Sequence, residues 1–211
     1  VPLRDKEVKP GLWSSEMLPI QWIHRRFTLG ARDLAGFERD GISFDTRPVT
    51  EAAAACARQE DRLVLDGEGG APGLLTVEGV SRQALSAWEE VGEAAGDVIQ
   101  AVDTLGDAGF YGPYALALAP KRYNQLYRLY QTGNRSELDH IKTIVSEGVY
   151  KAPALEAGGV LLASGRRPAF IVIGQDMSIG FVGPAGETLE FSISESLAVN
   201  ILRPQGICVL E

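Results

Sequence analysis

An alternation of apolar and polar residues over positions 189–202 constrains the fold more than any other feature of the chain. The odd positions are apolar and the even ones mostly polar; the apolar set is Leu189, Phe191, Ile193, Leu197, Val199 and Ile201. Such alternation predicts a β-strand with one face buried. At about 3.3 Å per residue the strand is roughly 45 Å long, about twice the usual length. We therefore expect a backbone strand shared by two subdomains.

Glu195 interrupts the apolar face of this strand. A buried carboxylate without a partner is costly. Two arrangements satisfy it. Either a basic group lies beside it, such as an arginine across a subunit interface, or a bulge in the strand turns it outward.

The remaining pattern mixes helices with short strands and predicts an α+β fold. Ser81 and Ser136 are the expected N-caps of two of the helices, with Asp139 three residues into the second. We expect helices over residues 46–65, 81–105, 120–130 and 136–147. We expect strands over residues 114–119, 160–164, 169–173 and 178–182, and a turn over 183–186.

The N-terminal region looks different from the rest of the chain. Residues 1–15 carry charge and two prolines and are expected to form an extended, poorly packed arm. Residues 17–29 are rich in β-formers, yet neither face of the strand they predict is cleanly polar. Trp22 lies on one face and Phe27 on the other. We expect both faces to meet protein, so Trp22 and Phe27 are candidate contacts with neighbouring subunits.

Composition excludes several functions. The net charge of −8 disfavours nucleic-acid binding driven by bulk charge. No apolar run approaches the roughly 20 residues that span a bilayer, so no membrane association is expected. The first residues carry no apolar core of a signal peptide. Cys56 and Cys208 form no C-x-x-C pair and are expected to be buried thiols in a reducing cytoplasm.

Catalytic motifs are weak throughout. The two histidines, His24 and His140, have no second histidine or cysteine nearby in sequence, so no metal site is expected. Asp139 and His140 with a serine would give a small hydrolase, but Ser136 is better explained as a helix cap. Residues 67–73 resemble a dinucleotide loop only loosely. The residues alone therefore indicate an α+β protein that is not an enzyme and has no cofactor.

Several short motifs together resemble the shell proteins of encapsulins, the linocin-like nanocompartments. Residues 109–118 are similar to the family's G-x-x-G-P-Y-A-L-A-L segment, and residues 203–211 to its R-P-E-A-I-C-x-L-E ending. The motifs occur in the family's order from about residue 18 to the last residue. Four further segments fit: residues 27–29, 59–63, 147–153 and 174–177.

This resemblance implies the fold of tailed-phage major capsid proteins. Residues 1–30 would be the extended loop or arm, residues 31–111 and 188–211 the peripheral domain, and residues 112–187 the axial domain. The implied function is that of a structural subunit of a bacterial, cytoplasmic, icosahedral shell of 60 or more copies. The shell would enclose cargo enzymes, such as a ferritin-like protein or a peroxidase, through a short targeting peptide. The alternative is a phage or prophage major capsid protein, which the acidic charge disfavours.

The resemblance also assigns residues. The turn that lines the five-fold pore in the family corresponds to Gln131, Thr132, Gly133, Asn134 and Arg135. The candidate inter-subunit contacts, Trp22, Phe27 and Glu195, come from the residue patterns described above. Gly133 and Asn134 suit a tight tip with left-handed backbone. Some members stack a flavin on a tryptophan where this chain has Arg32, so no flavin is expected. Family members carry an N-terminal helix that helps form the cargo pocket; it has no counterpart in these 211 residues, and no cargo pocket is assigned.

Overall fold

A computed structural model describes residues 5–15, 17–131 and 133–211. The chain divides into two compact units. The first unit contains the N-terminal part through Cys56 together with Val172–Asn200, and the second contains Ala57–Ile171 together with Ile201–Glu211. Among the described residues, no helix has both the length and the apolar character needed to cross a bilayer.

The first unit begins with a hairpin. Strand β1 (Asp5–Lys9) pairs antiparallel with β2 (Leu12–Ser15) around Gly11, whose φ of 80° is easily adopted only by glycine. The sequence pattern predicted an extended arm here and missed the pairing.

A three-stranded sheet forms the centre of the first unit. Its strands are β3 (Gln21–Gly30), β8 (Ala169–Ala185) and β9 (Thr188–Ile201), with β9 in the middle. The expected long strand is confirmed within one residue at each end. The two strands expected over 169–182 are instead one continuous strand, because β8 lies at the sheet edge and its polar segment at Gln175 faces solvent.

Two helices accompany this sheet. The sequence analysis missed α1 (Ala31–Asp40), which ends at Gly41, where a φ of 67° lets the Gly41 N–H bond to the Phe37 carbonyl. Helix α2 (Arg47–Leu65) was expected over 46–65 and is confirmed. The Cys56 thiol on α2 lies buried, 4.0 Å from the Ile193 carbonyl oxygen of β9.

The second unit is built on a five-stranded mixed sheet. In spatial order the strands are β4 (Ser81–Gln83), β10 (Ile207–Leu210), β7 (Gly159–Ala163), β5 (Tyr114–Leu118) and β6 (Gly148–Lys151). The β10–β4 and β5–β6 pairs are parallel, and β7 pairs antiparallel with both β10 and β5.

Three helices complete the second unit: α3 (Glu93–Asp107), α4 (Pro120–Gln125) and α5 (Glu137–Ile144). Helices α3 and α5 pack on the sheet around one apolar core. Its largest fully buried side chains include Trp88, Leu105, Leu116, Leu126, Ile141 and Leu161.

The helix expected over 81–105 is wrong in its first half. Ser81 begins strand β4 and is not a helix cap, because β4 pairs with the C-terminal strand β10. The helix starts only at Glu93, since Trp88 (φ 58°) and Gly92 (φ 111°) hold backbone angles that no α-helix contains. Trp88 nevertheless reaches the core from this loop, which explains why its helical spacing misled the prediction.

The helix expected over 120–130 is also too long. Helix α4 ends at Gln125, and residues 126–130 run antiparallel to residues 135–138. The Leu138 N–H bonds to the Leu126 carbonyl at 2.8 Å, and the Glu137 N–H bonds to the Arg128 carbonyl at 3.0 Å. This long-range pairing competes with the helix and is invisible in local periodicity.

Candidate assembly surface and pore loop

An aromatic ladder crosses the three-stranded sheet of the first unit on one face. Phe27 of β3 stacks on Phe191 of β9 with ring centroids 5.6 Å apart and planes 11° apart. Phe191 in turn contacts Phe181 of β8 at 5.4 Å. Phe27 is 8% exposed and Phe181 is 61% exposed. The ladder is therefore buried at one end and open at the other.

The two aromatic contacts expected from the sequence differ in the structure. Phe27 is buried by its own chain, so no neighbour is needed to cover it. Trp22 lies on the opposite face of β3, 67% exposed, with its ring 4.8 Å from that of His24. Only Trp22 therefore presents a large apolar surface to a partner. Burial of either side chain by another subunit remains a prediction.

Strand β8 carries an apolar stripe that the sequence analysis missed. We define the β8 stripe as four exposed apolar side chains at odd-numbered positions of this edge strand, which all lie on one face: Ile173, Met177, Ile179 and Phe181. Gly174 and Gly180 approach serines of β9 on the other face, which places the odd positions together with Phe191. Reading β8 as two short strands hid this stripe, which is interrupted at Gln175.

Glu195 is buried at 6% exposure in the middle of β9. The bulge alternative is wrong, because the β3–β9 register is unbroken and pairs Ile23 with Glu195. Arg25 lies two residues further along on the same face, diagonally across from Glu195. A basic group of its own chain therefore lies near Glu195. An inter-subunit role for Glu195 remains a prediction.

The thiol of Cys56 is affected by the charges of Glu195 and Arg25. Burial raises the pKa of its thiol, the charge of Glu195 raises it further, and Arg25 opposes both effects. The thiol is thus held protonated and unreactive at neutral pH. The expectation that both cysteines are buried thiols is confirmed, because Cys208 is also buried and burial raises its pKa to about 11.

The turn predicted to line a pore lies at the exposed end of a hairpin in the second unit. Its stem closes through a bridge between Leu129 and Ser136 and a bond from the Tyr130 N–H to the Arg135 carbonyl at 3.0 Å. At the tip, Gly133 has a φ of 99° and Asn134 a φ of 47°, which confirms the expected left-handed backbone. Gln131 and Arg135 are exposed. Thr132 lies outside the described residues.

A capping box follows the loop and removes the hydrolase alternative. The Ser136 hydroxyl accepts a bond from the Asp139 N–H at 3.1 Å, and the Asp139 carboxylate accepts one from the Ser136 N–H. The Ser136 hydroxyl also donates to this carboxylate and, as the largest cause, lowers the pKa of Asp139. His140 instead has its Nδ1 2.9 Å from the Tyr130 hydroxyl. Asp139 therefore caps a helix and does not orient His140 as a base.

Solved structures with a similar fold define the class of protein. The virus-like particle of Pyrococcus furiosus matches with a TM-score of 0.78 and 25% identity, covering 95% of this chain and 79% of that chain. The capsid of Myoviridae phage XM1 matches with a TM-score of 0.68 at 12% identity, covering 94% of this chain and 75% of that one. The expected α+β, phage-capsid-like fold is confirmed.

Sequence comparison assigns the family. The family described as "Encapsulating protein for peroxidase" matches residues 3–198. A type 1 encapsulin shell protein of Myxococcus xanthus is 32% identical over 192 residues, which are 90% of this chain and 67% of that protein. The chain therefore belongs to the encapsulin shell protein family, as its motifs indicated.

Two related fusion proteins are longer than this chain. A diheme-cytochrome-encapsulin shell fusion protein of Kuenenia stuttgartiensis is 32% identical over 93% of this chain and 55% of its own length. A ferritin-like-encapsulin shell fusion protein of Pyrococcus furiosus is 29% identical over 93% of this chain and 54% of its own length. The chain thus spans about half of each fusion protein.

Proposed function

We propose that this protein is the structural subunit of an icosahedral encapsulin shell of 60 or more copies. The observation that carries the proposal is the match to encapsulin shell proteins, in sequence and in fold, over nearly the whole chain. The exposed apolar side chains of the first unit support it, because Trp22 and the β8 stripe need a partner to leave water. Closed symmetry is the usual way to bury such surfaces in many identical copies.

In this proposal the subunit has a structural role in the shell and does not catalyse a reaction. Its relatives are named as shell proteins, and Asp139, which a hydrolase would need to orient His140, serves a helix cap. In this proposal the chemistry belongs to enclosed cargo, and the cytoplasmic location expected from the sequence stays a prediction.

We propose that the cargo is an iron-dependent redox protein. Relatives are fused to a diheme cytochrome and to a ferritin-like protein, and the family description names a peroxidase. These three share iron or haem chemistry. A cargo not fused to the shell would reach the inner wall through a short targeting peptide.

A phage capsid is the less supported reading. Phage capsids share the fold with this chain at low identity, 12% for phage XM1. The relatives described above that match in sequence are an encapsulin shell protein and two encapsulin shell fusion proteins.

We further propose that the hairpin tip at Gln131, Thr132, Gly133, Asn134 and Arg135 lines the five-fold opening. The exposed, left-handed tip supports this role, since it connects the two strands of a paired stem. Five Arg135 side chains would then converge on one axis and focus a positive potential.

Assembly is tested on the purified protein at micromolar concentration by light scattering after size exclusion and by negative-stain imaging. Closed particles of at least 60 subunits are expected, since shells of this fold are obligate assemblies. A stable monomer or dimer would contradict the proposal. Nucleic acid extracted from intact particles would instead favour the capsid alternative, and iron or haem in them would favour the redox cargo.

A further inference from the structure

The chain leaving the pore loop is attached to helix α3 by Glu137. This carboxylate is fully buried, at 0% exposure. It accepts bonds from the Gly92 N–H at 2.9 Å and the Ala95 N–H at 3.1 Å, both at the start of α3. Helix α3 has no side-chain cap of its own at Gly92. Glu137, the first residue of α5, therefore supplies the anionic cap that the N-terminus of α3 requires.

Arg128 attaches the other strand of the stem to the same place. Its guanidinium donates to the Trp88 carbonyl at 2.6 Å and to the Glu89 carbonyl at 3.0 Å. It also donates to the Glu137 carboxylate at 3.4 Å. The buried carboxylate thus has a cation beside it, as a buried charge requires. Both strands of the stem are bound to residues 88–95.

Tyr130, the last residue before the loop, fills the space between these attachments. Its ring lies 4.0 Å from where a side-chain carbon on Gly92 would stand, and its hydroxyl contacts His140. Burial, and then the charge of Glu137, raise the pKa of the Tyr130 hydroxyl. The base of the loop is consequently packed and hydrogen-bonded from both sides, whereas Gln131, Gly133, Asn134 and Arg135 are exposed.

We propose that Glu137 is a positioning residue for the pore loop. By binding the returning strand of the stem to the first turn of α3, it holds the stem in place and confines movement to the tip. The aperture is then set by the attachment of the stem to α3 as well as by the side chains at the tip. The part that concerns the aperture rests on the proposed pore; the attachment itself does not.

The test uses assembled shells of the Glu137→Gln variant. The amide keeps the size and one acceptor oxygen but loses the charge that serves both the helix N-terminus and Arg128. Hydrogen exchange of peptides covering residues 126–138 should become about tenfold faster, the loss expected for a weakened charged hydrogen bond. Influx of a small neutral quencher into shells loaded with a fluorescent cargo should also become faster.

Glu93→Gln is the matched control. Glu93 lies in the same first turn of α3, and its carboxylate accepts from the Glu90 N–H at 3.1 Å. The substitution removes one negative charge from the same helix end, and the side chain that it changes bonds to Glu90 and not directly to a residue of the loop stem. Exchange over 126–138 and quencher influx should both stay at the wild-type level.

The outcomes separate the two ideas. Unchanged exchange over 126–138 in intact Glu137→Gln particles overturns the positioning role. Faster exchange with unchanged influx keeps the attachment and instead rejects the pore assignment. If Glu137→Gln particles do not form, Glu137→Asp carries the test, because it keeps the charge but shortens its reach by one methylene. Unchanged exchange in that variant likewise overturns the proposal.

Discussion

The two units of this chain differ in how completely they bury their own apolar surface. The second unit packs Trp88, Leu105 and Ile141 to zero exposure between its sheet and its helices. The first unit buries Ile23, Phe27 and Ile193 on one part of its sheet but leaves Trp22 and the β8 stripe in water. The second unit thus has a core of fully buried side chains, whereas the first leaves a group of apolar side chains exposed on its sheet.

The difference teaches where assembly energy comes from. Apolar area removed from water stabilises by about 25 cal/mol per Å². The exposed side chains of the first unit contribute this free energy only when a neighbouring subunit covers them. The second unit also exposes large side chains, such as Tyr111, Leu129 and Tyr150, but it has a fully buried core of its own and presents a polar loop. Mutations in the two units should therefore have different effects on assembly, folding and passage through the shell.

The largest expected effect is loss of assembly in Trp22→Ser. We expect an intact fold and few or no particles, because the exposed ring is repeated in every copy and each loss is worth roughly 3 kcal/mol. Size exclusion with light scattering measures the particles, and circular dichroism the fold. Trp22→Phe, which keeps a large apolar ring, should still assemble. Normal particles from Trp22→Ser would remove Trp22 from the interface.

Phe27→Ser should impair the folding of the first unit and not only its assembly. Since Phe27 is buried against Phe191 within its own chain, its loss should destabilise the first unit by about 3 kcal/mol before assembly begins. The thiol of Cys56 gives the readout, because it is buried on the same side of the sheet. Alkylation of Cys56 should accelerate in Phe27→Ser and stay slow in Trp22→Ser. Equal rates in the two variants would erase the distinction between the two residues.

Arg135→Glu should change selectivity without changing particles. A ring of like charge focuses potential in a narrow opening, so wild-type shells should admit an anionic quencher faster than a cationic one. The variant should reverse this preference, and added salt should weaken it, since the Debye length is about 10 Å at 0.1 M. Stopped-flow quenching of an enclosed fluorophore measures both rates. Equal rates for both quenchers in both proteins would show that Arg135 does not control passage.

The smallest expected effect concerns the cap after the loop. The pKa of Asp139 is lowered in the folded state, chiefly by the Ser136 hydroxyl. The carboxylate therefore stabilises the fold above its unfolded pKa of about 3.9, and this contribution is lost as pH falls through the folded value. Thermal melts between pH 6 and 3 should show a slightly steeper acid loss for wild type than for Asp139→Asn. Parallel melting curves would mean that the capping box has no role in stability.

Local chemistry allowed part of this fold to be predicted. The Ser136–Asp139 box, the strand at 188–201 and the helix at 47–65 follow from caps and periodicity within a few residues of sequence. The left-handed tip of the loop likewise follows from Gly133 and Asn134. The errors fall where distant residues pair, as at Ser81 with Cys208 in strand β10. There hydrogen bonds between distant strands replace the local hydrogen bonds of a helix at similar energy. The local sequence pattern does not indicate which of the two forms.

The sequence by itself determined the α+β class, the family and the position of the exposed loop, because alternation, capping residues and ordered motifs are properties of neighbouring residues. Only the tertiary structure decided which apolar side chains stay exposed and which groups the charged side chains bind. Phe27 and Trp22 look equivalent along the chain, yet pairing with β9 and the contact with Phe191 bury one and leave the other in water. Glu137 reads as an ordinary first-turn acid, and only the approach of α3, more than 40 residues away, makes it a buried cap. Burial and charge pairing depend on contacts between distant segments, and those contacts exist only in the folded chain.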